Sequence, residues 1–584
     1  MFAVAGTNTV SFGIDASETA RPGLLGFAVE RIDPAQNERY YVHGFKVFPS
    51  IIPQPDETTY VSTCGHPIQS LVWDDFTTEP AHDYTYVFHP LTGTPKNLDR
   101  SREPVSIDVR TEPLFGEVHD VFFNRGIASS QAYAREFGNL SPSDQPSESR
   151  RLKALQWLSR DLDEAMITFI RSAGSGDAIR WCFYEFGYPP VLAELAAATG
   201  RGVDVKLVVD CKVNEHTVNE RQPDGSVKPV FYKSSPRLEN LAAITAAGLP
   251  ASAIRRREAR RSAIAHNKFM VLFSGDPQTP QQVWTGSTNL TEGGIHGQAN
   301  AGHWIRDAAT AARFADYWTL LAADPGGRQG DSQSVVRARN KEFYTGVDAM
   351  TPTPALEGIP TGITPIFSPR SGALPLELYV SLLDSSNDLA CITFAFTVPD
   401  LFKTALKDNS STGPLCFLLL EKEDRPDRNS TKPFIRLNAK NNVYQASGSE
   451  LRTPLGQWVV ETDTRTLGLN RHVAFIHCKF LLHDPLGADP IVVTGSANFS
   501  KASTNDNDEN MVIVRGNRRV ADIYFTEFNR LFNHYYFRSI AERTSPTDTL
   551  RALQLVEDDS WLQKYQPGTL RSKRVACFMG MAID

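Results

Sequence analysis

The sequence predicts an α/β protein made of two similar halves, preceded by an antiparallel β-sandwich. Three observations carry this. From about residue 118 to 536, strand-like apolar runs alternate with helix-like amphipathic runs, the pattern of a mostly parallel or mixed sheet covered by helices. The order of these runs recurs: two His-x-Lys motifs, at His266 and His477, lie 211 residues apart, and so do the strand-like runs around Phe183 and Phe394, as in a duplicated unit. The first 115 residues instead hold short β-branched and aromatic runs broken by Pro, Gly, Asp and Asn.

In chain order, residues 25–32, 40–47, 68–73, 84–89 and 105–109 read as strands. Residues 141–149, rich in Ser and Pro, read as a loop. Residues 152–172 follow as a single helix with Leu155, Leu158, Leu162, Ala165, Met166 and Phe169 on one face. A strand (179–186), a helix (191–198) and a strand (203–209) come next. Their counterparts are a helix at 376–383, a strand at 390–397, a helix at 401–407 and a strand at 415–420. Residues 323–334, rich in Asp, Gly and Gln, form the joint between halves, and 520–536 is the last long helix. The expected division is a β domain over 1–115, halves over 116–330 and 331–540, and a tail over 541–584. Trp561 and Tyr565 suggest that this tail packs on the body.

Composition is that of an ordinary globular protein: 41% hydrophobic, 22% charged, net charge −7. The negative sum argues against a nucleic-acid coat protein, though it leaves room for a local basic cleft. Seven cysteines without a Cys-x-x-Cys pair fit reduced thiols better than a disulfide framework or a zinc site. The N-terminus lacks the basic-then-apolar order of a signal peptide, and no apolar run is long enough to span a bilayer. A cytoplasmic location is expected, with export by another route left open.

Chemistry concentrates in two hairpin-like stretches. The first is IAHNKFMVLF with His266 and Lys268, followed by VWTGSTNLT with Ser287 and Asn289. The second is FIHCKFLLHD with His477, Lys479 and Asp484, followed by VVTGSANFS with Ser496 and Asn498. On a strand, residues i and i+2 share a face, so each His projects with its Lys. A buried Lys is rare without a partner. Two such stretches facing each other bring two imidazoles, two ammonium groups and two carboxamides to one point, an arrangement suited to a phosphate diester. One imidazole attacks phosphorus and the other protonates the leaving oxygen, while Lys and Asn hold the nonbridging oxygens. Nearby carboxylates are too few for a two-metal site, so no metal and no cofactor are expected. Either motif alone is weak; both in the same order twice carry weight.

HxKxxxxD followed by GSxN resembles the signature of the phospholipase D superfamily. The second half matches it through His477, Lys479, Asp484, Gly495, Ser496 and Asn498. The run GSANFSKASTNDNDENMVIV also resembles the superfamily's small bacterial endonuclease. The first half departs at Phe273, where the family carries a mainly structural Asp. The resemblance covers roughly residues 117–540. It implies two phospholipase D-like halves about a pseudo-twofold, with one active site complete in a single chain and a covalent phosphohistidine intermediate. By the same resemblance Glu509 backs the histidine of the other half, making His266 the nucleophile and His477 the acid. The matching stretch of the first half, GQANAGHWI, offers Gln298 for His477. Arg255, Arg256, Arg257, Arg260 and Arg261 precede His266 and suggest a collar for a polyanion or an anionic membrane surface. Architecture favours phospholipid as substrate. A metal-independent nuclease is the alternative, and a degenerate binding protein is the least favoured reading. Oligomeric state is not legible.

Overall fold

Two seven-stranded mixed sheets with the same strand order form the body of the computed structural model, which describes residues 1–55, 59–126, 131–138, 140–213, 215–221, 226–232, 236–426, 433–448, 475–541 and 553–581. The first sheet runs, in spatial order, His119–Phe123, Ala301–Ile305, Thr279–Gly286, Lys268–Ser274, Ala178–Phe183, Asp204–Asp210 and Ile254–Arg257. The second runs Gly362–Ser368, Glu509–Arg515, Ile491–Gly495, Phe480–His483, Leu389–Phe394, Leu415–Leu420 and Val443–Ser447. In each, three strands at one edge are parallel and the rest antiparallel.

Both sheets are covered on both faces, which is why their central strands read as near-continuous apolar runs. Alternate residues serve opposite layers. Trp181, Leu207 and Met270 pack under the helices Leu162–Arg171 and Pro189–Gly200. Their neighbours Cys182, Val208 and Phe269 meet Phe314 and Trp318 of the helix Ala308–Ala322. That second layer also takes in Phe367 and Val512 of the other sheet, and Tyr317 stacks on Phe367 at 4.3 Å. In the second half Ile392, Leu418 and Leu481 face one layer, while Cys391, Phe417 and Phe480 pack against Phe525, Phe528 and Phe532 of the long helix Arg518–Ala541.

The helix expected over 152–172 is two helices, Glu148–Ser159 and Leu162–Arg171, broken where Arg160 (φ 45°) and Asp161 (φ 68°) adopt left-handed backbone. The break turns Arg160 inward: it pairs with Glu527 at 2.7 Å and donates from Nε to the Phe123 carbonyl at 2.9 Å. A tertiary ion pair thus overrides local periodicity.

The described N-terminal region contains two larger antiparallel sheets and a two-stranded one, His43–Gly44 with Val61–Ser62. Of the larger two, one is Phe2–Ala5, Val10–Gly13 and Val72–Asp75. The other is Val105–Arg110, Asp83–Thr94, Gly26–Asp33 and Glu38–Tyr41, with Asn97–Asp99 on Asp83–Thr94. Phe12 of the first meets Tyr86 (4.7 Å, edge-on) and Phe88 of the second. From the C-terminal stretch, Trp561 donates to the Leu24 carbonyl at 2.7 Å and the Tyr565 hydroxyl accepts the Leu71 N–H at 2.9 Å. Residues 542–552 and 582–584 of that stretch lie outside the described residues. No helix among the described residues is long and apolar enough to cross a membrane.

Candidate active site

Both histidines sit just ahead of a strand rather than within one. The strands begin at Lys268 and Phe480, and each His occupies the extended segment leading in. Within each motif the lysine curls back on its histidine: Lys268 Nζ donates to the His266 carbonyl at 2.9 Å, and Lys479 Nζ to the His477 carbonyl. Both lysines and both histidines are buried.

The ring partners come from the opposite half. His266 Nδ1 lies 2.9 Å from each oxygen of Glu509, which is fully buried at the start of the strand Glu509–Arg515. His477 Nδ1 lies 2.9 Å from Asn300 Oδ1. Gln298, the residue expected there, is not the acceptor; its Oε1 is 3.5 Å from Asn300 Nδ2. The serine of each GSxN fixes the choice. Ser496 Oγ donates to Glu509 at 2.7 Å and accepts the Asn510 N–H. Ser287 Oγ donates to Asn300 Oδ1 at 2.9 Å and accepts the Ala301 N–H. Both acceptors stand 13 residues beyond their serine. That spacing, present in the sequence, points to Asn300 and not Gln298. Asn300 Nδ2 donates to the Gly294 carbonyl at 2.8 Å, leaving its oxygen for Ser287 and His477.

The glycines of GSTN and GSAN allow these close approaches. A Cβ on Gly286 (φ +148°) would lie 2.3 Å from the Ala301 carbonyl oxygen, and one on Gly495 2.3 Å from that of Asn510. Asn289 and Asn498 each present a buried side-chain oxygen with no hydrogen-bond partner among the described residues. Asn289 Nδ2 donates to Glu185 at 2.5 Å, so a carboxylate from the end of the Ala178–Phe183 strand also reaches the site. Sequence reasoning missed Glu185, because its strand carries no motif. Tyr184 packs beside His266 with ring centroids 5.2 Å apart.

Burial sets the protonation balance. It pushes His266 down to about 4, against the pull of Glu509 and with the repulsion of Lys268. It drives His477 well below the ordinary histidine value, helped by Lys479 and Lys268, with no carboxylate among the main influences on it. Burial also pushes Lys268 down to about 8 and Lys479 well below the usual ammonium range, the latter helped by Lys268. Each lysine disfavours charge on the other, and an anion between them would favour it on both.

Asp484 is a structural carboxylate. It accepts the backbone N–H groups of Asn387, Asp388 and Leu389, at 2.9 to 3.1 Å. In the first half, Phe273 stands in its place and lies under the Arg180 guanidinium at 5.4 Å. The arginine collar is corrected by the fold. Arg257 is fully buried, paired with Asp508 and Asp324 at 2.8 and 2.9 Å. Arg260 is buried too and reaches Asp508 and Tyr344. Arg255 is half-buried and bonded to the Ser252 and Ile254 carbonyls. Only Arg256 and Arg261 are exposed. Residues 254–257 are themselves a strand, so their side chains alternate inward and outward instead of forming one basic face.

Among the described residues, no three His, Cys, Asp or Glu side chains converge as a metal-ligand set. The family described as "Cardiolipin synthase, PLD-like domain" matches residues 166–319 and 379–532, just over half of the chain and once per sheet. No curated protein matches the chain. Among solved structures, phosphatidylserine synthase from Haemophilus influenzae Rd KW20 is 11% identical over 73% of this chain and 94% of that one, with a TM-score of 0.42. Nuc, a phospholipase D family member from Salmonella typhimurium, is 24% identical over 28% and 87%, with a TM-score of 0.20. Polyphosphate kinase from Porphyromonas gingivalis is 11% identical over 62% of this chain, which spans 46% of that longer protein, with a TM-score of 0.34. With a phospholipase D-like domain matched twice, the chain belongs to the phospholipase D superfamily.

Proposed function

We propose that this protein is a phosphodiesterase of phospholipase D type, acting on phospholipid through a covalent phosphohistidine. The observation that carries the reading is the crossed and unequal backing of the two rings: a carboxylate on His266, an amide on His477. With Nδ1 of His266 directed at Glu509, its Nε2 is the nucleophile. It bonds to phosphorus as the P–O bond to the leaving group breaks, and His477 Nε2, protonated once the anionic phosphodiester offsets the burial and lysine repulsion that hold the ring neutral, gives that oxygen a proton. The positive charge that His266 acquires is offset by Glu509. His477, now neutral, removes a proton from water or an alcohol, whose oxygen attacks phosphorus and releases His266. Lys268 and Lys479, with the Nδ2 hydrogen of Asn289 not given to Glu185 and the Nδ2 of Asn498, hold the nonbridging oxygens. Ser287 and Ser496 orient the acceptors behind the rings, and Asp484 supports the second motif.

The lipid assignment draws on the cardiolipin synthase description of the matching family. The inward commitment of Arg257 and Arg260 also removes much of the basic surface that a nucleic-acid substrate would use. The chain organisation we propose with it is a β-sandwich over 1–115, halves over 116–330 and 331–540 about a pseudo-twofold, and a tail over 541–584 packed on the body. A paired assay tests the substrate: headgroup release from mixed phospholipid vesicles against cleavage of single- and double-stranded DNA and RNA. Headgroup release is the expected result. Nucleic-acid cleavage without it would replace the lipid reading with a nuclease.

A further inference from the structure

The rings are held from behind by Glu509 and Asn300, yet the main chain that carries each ring is held by something else. Asp210 ends the strand Asp204–Asp210, and its Oδ2 accepts the N–H of Ala265, the residue before His266, at 3.0 Å. Glu421 follows the strand Leu415–Leu420, and its Oε2 accepts the N–H groups of Phe475 and Ile476, the two residues before His477, at 3.0 and 2.7 Å. Both carboxylates are buried. They are 211 residues apart, as are the two histidines and the pair Ala265 and Ile476. The two strand ends correspond: in the first sheet Cys182 pairs with Val208 and Asp210 closes that strand two residues on, and in the second Phe394 pairs with Leu420 and Glu421 is the next residue.

The need for such acceptors follows from where the histidines sit. Ala265, Phe475 and Ile476 lie outside the ladders, so their amides have no sheet acceptor, and a buried N–H left unpaired is costly. The opposite half holds each segment by a carbonyl instead, in a matched pair of bonds, Asp508 N–H to the Ile264 carbonyl at 3.0 Å and Ala299 N–H to the Phe475 carbonyl at 2.7 Å. The same-half carboxylate takes the amides. A charge-assisted bond to the amide adjoining the histidine fixes the backbone from which the imidazole projects. Asp210 is in turn fixed by Lys212, whose Nζ lies 2.9 Å from Oδ2 and whose N–H donates to Oδ1 at 3.1 Å.

We infer that Asp210 and Glu421 are positioning residues that set the reach of His266 and His477 toward phosphorus, acting through the main chain and not through the ring. This rests on the proposed roles of His266 as nucleophile and His477 as acid, and those roles give it a signature. Loss of the Glu421 contact should slow only steps that need the proton of His477. Loss of the Asp210 contact should slow attack whatever the leaving group.

The experiment measures formation of the phosphoryl-enzyme on two phosphodiesters, one with an alkyl and one with a p-nitrophenyl leaving group. If the wild type cleaves neither, the functional reading has failed and this inference with it. If it cleaves both, the variants decide. Glu421→Ala should lower the rate on the alkyl substrate ~100-fold, the scale of a 1 Å misplacement, with KM little changed and the p-nitrophenyl rate nearly preserved. Asp210→Ala should lower both rates to a similar degree. Glu421→Gln and Asp210→Asn keep an acceptor oxygen and should recover most of the rate. Should the alanine variants fail to fold, Glu421→Asp and Asp210→Glu displace the acceptor by one methylene with the charge kept, and the same split is expected. Folded variants with wild-type rates on both substrates would overturn the inference. So would equal loss on both substrates for the Glu421 variants, or amide variants as slow as the alanine ones.

Discussion

His266 and His477 stand in near-identical motifs, and their difference lies in one atom pair: two carboxylate oxygens behind one ring, one amide oxygen behind the other. Since attack on phosphorus places positive charge on the nucleophile, a rapid acid quench during turnover followed by peptide mapping at alkaline pH should find phosphate on the His266 peptide. His266→Ala and His477→Ala should each abolish turnover; near-normal activity in either would refute a shared site. The asymmetry is adjustable. Asn300→Asp puts a carboxylate 2.9 Å from His477 Nδ1 and should raise that ring by about 1–3 pH units, read from its NMR titration and from an upward move of the alkaline limb of kcat/KM. An unmoved titration would mean that Asn300 does not govern the ring. In the proposed mechanism Lys268 and Lys479 meet the phosphate charge, so activity should survive EDTA; complete loss restored by one divalent metal would contradict this. The histidines, lysines and Glu509 were legible because their residue types are diagnostic at fixed spacing. Asn300 was one alternation away from Gln298, and an amide has no chemistry that singles it out; the 13-residue step from the serine was the available signal.

At the scale of elements, the sequence marks a strand or helix wherever periodicity is set by burial, and misleads where an ion pair sets the geometry. The strand at Leu415–Leu420 appears as read. The helix over 152–172 does not, because Arg160 must reach Glu527. The arginine run is the same lesson. Five basic residues in a row of seven look like surface, but Arg257 is an inward strand position that binds Asp508, the neighbour of Glu509, and thereby ties the two halves together next to His266. Burial alone would raise the Asp508 carboxyl; Arg257 and Arg260 outweigh it and hold it below the ordinary value. Arg257→Ala leaves that carboxylate poorly paired and should cost about 3–5 kcal/mol in urea denaturation. Arg256→Ala and Arg261→Ala, at exposed positions, should stay within about 0.5 kcal/mol. Similar small effects for all three would restore the picture of a solvated collar.

Across the whole molecule, three regions distant in sequence converge on Glu527, a buried carboxylate on the helix Arg518–Ala541. Arg160 of the first half approaches it at 2.7 Å and Arg530 at 2.8 Å, and Thr9 Oγ1 of the N-terminal region donates to it at 3.3 Å. Arg530 donates onward to the carbonyls of Asn124 and Arg125. Arg530 stands three residues along the same helix from Glu527, a local pairing, but Arg160 and Thr9 belong to separate local patterns and meet Glu527 only when the elements assemble. Burial would raise the Glu527 carboxyl, yet Arg160 and Arg530 prevail and hold it below the ordinary glutamate value. A carboxylate lowered in the folded state contributes its stability in full above its unfolded value and loses it as pH falls through the folded one. Glu527→Gln should therefore destabilise by about 3–5 kcal/mol at pH 7, because two buried guanidinium groups lose their counter-charge. The gap between wild type and variant should hold from pH 7 to about 5 and then narrow as the wild-type carboxylate takes up its proton. A gap that stayed constant down to pH 3 in paired denaturation curves would mean that Glu527 acts through its shape and hydrogen bonds, and that the three regions are joined by packing instead of charge.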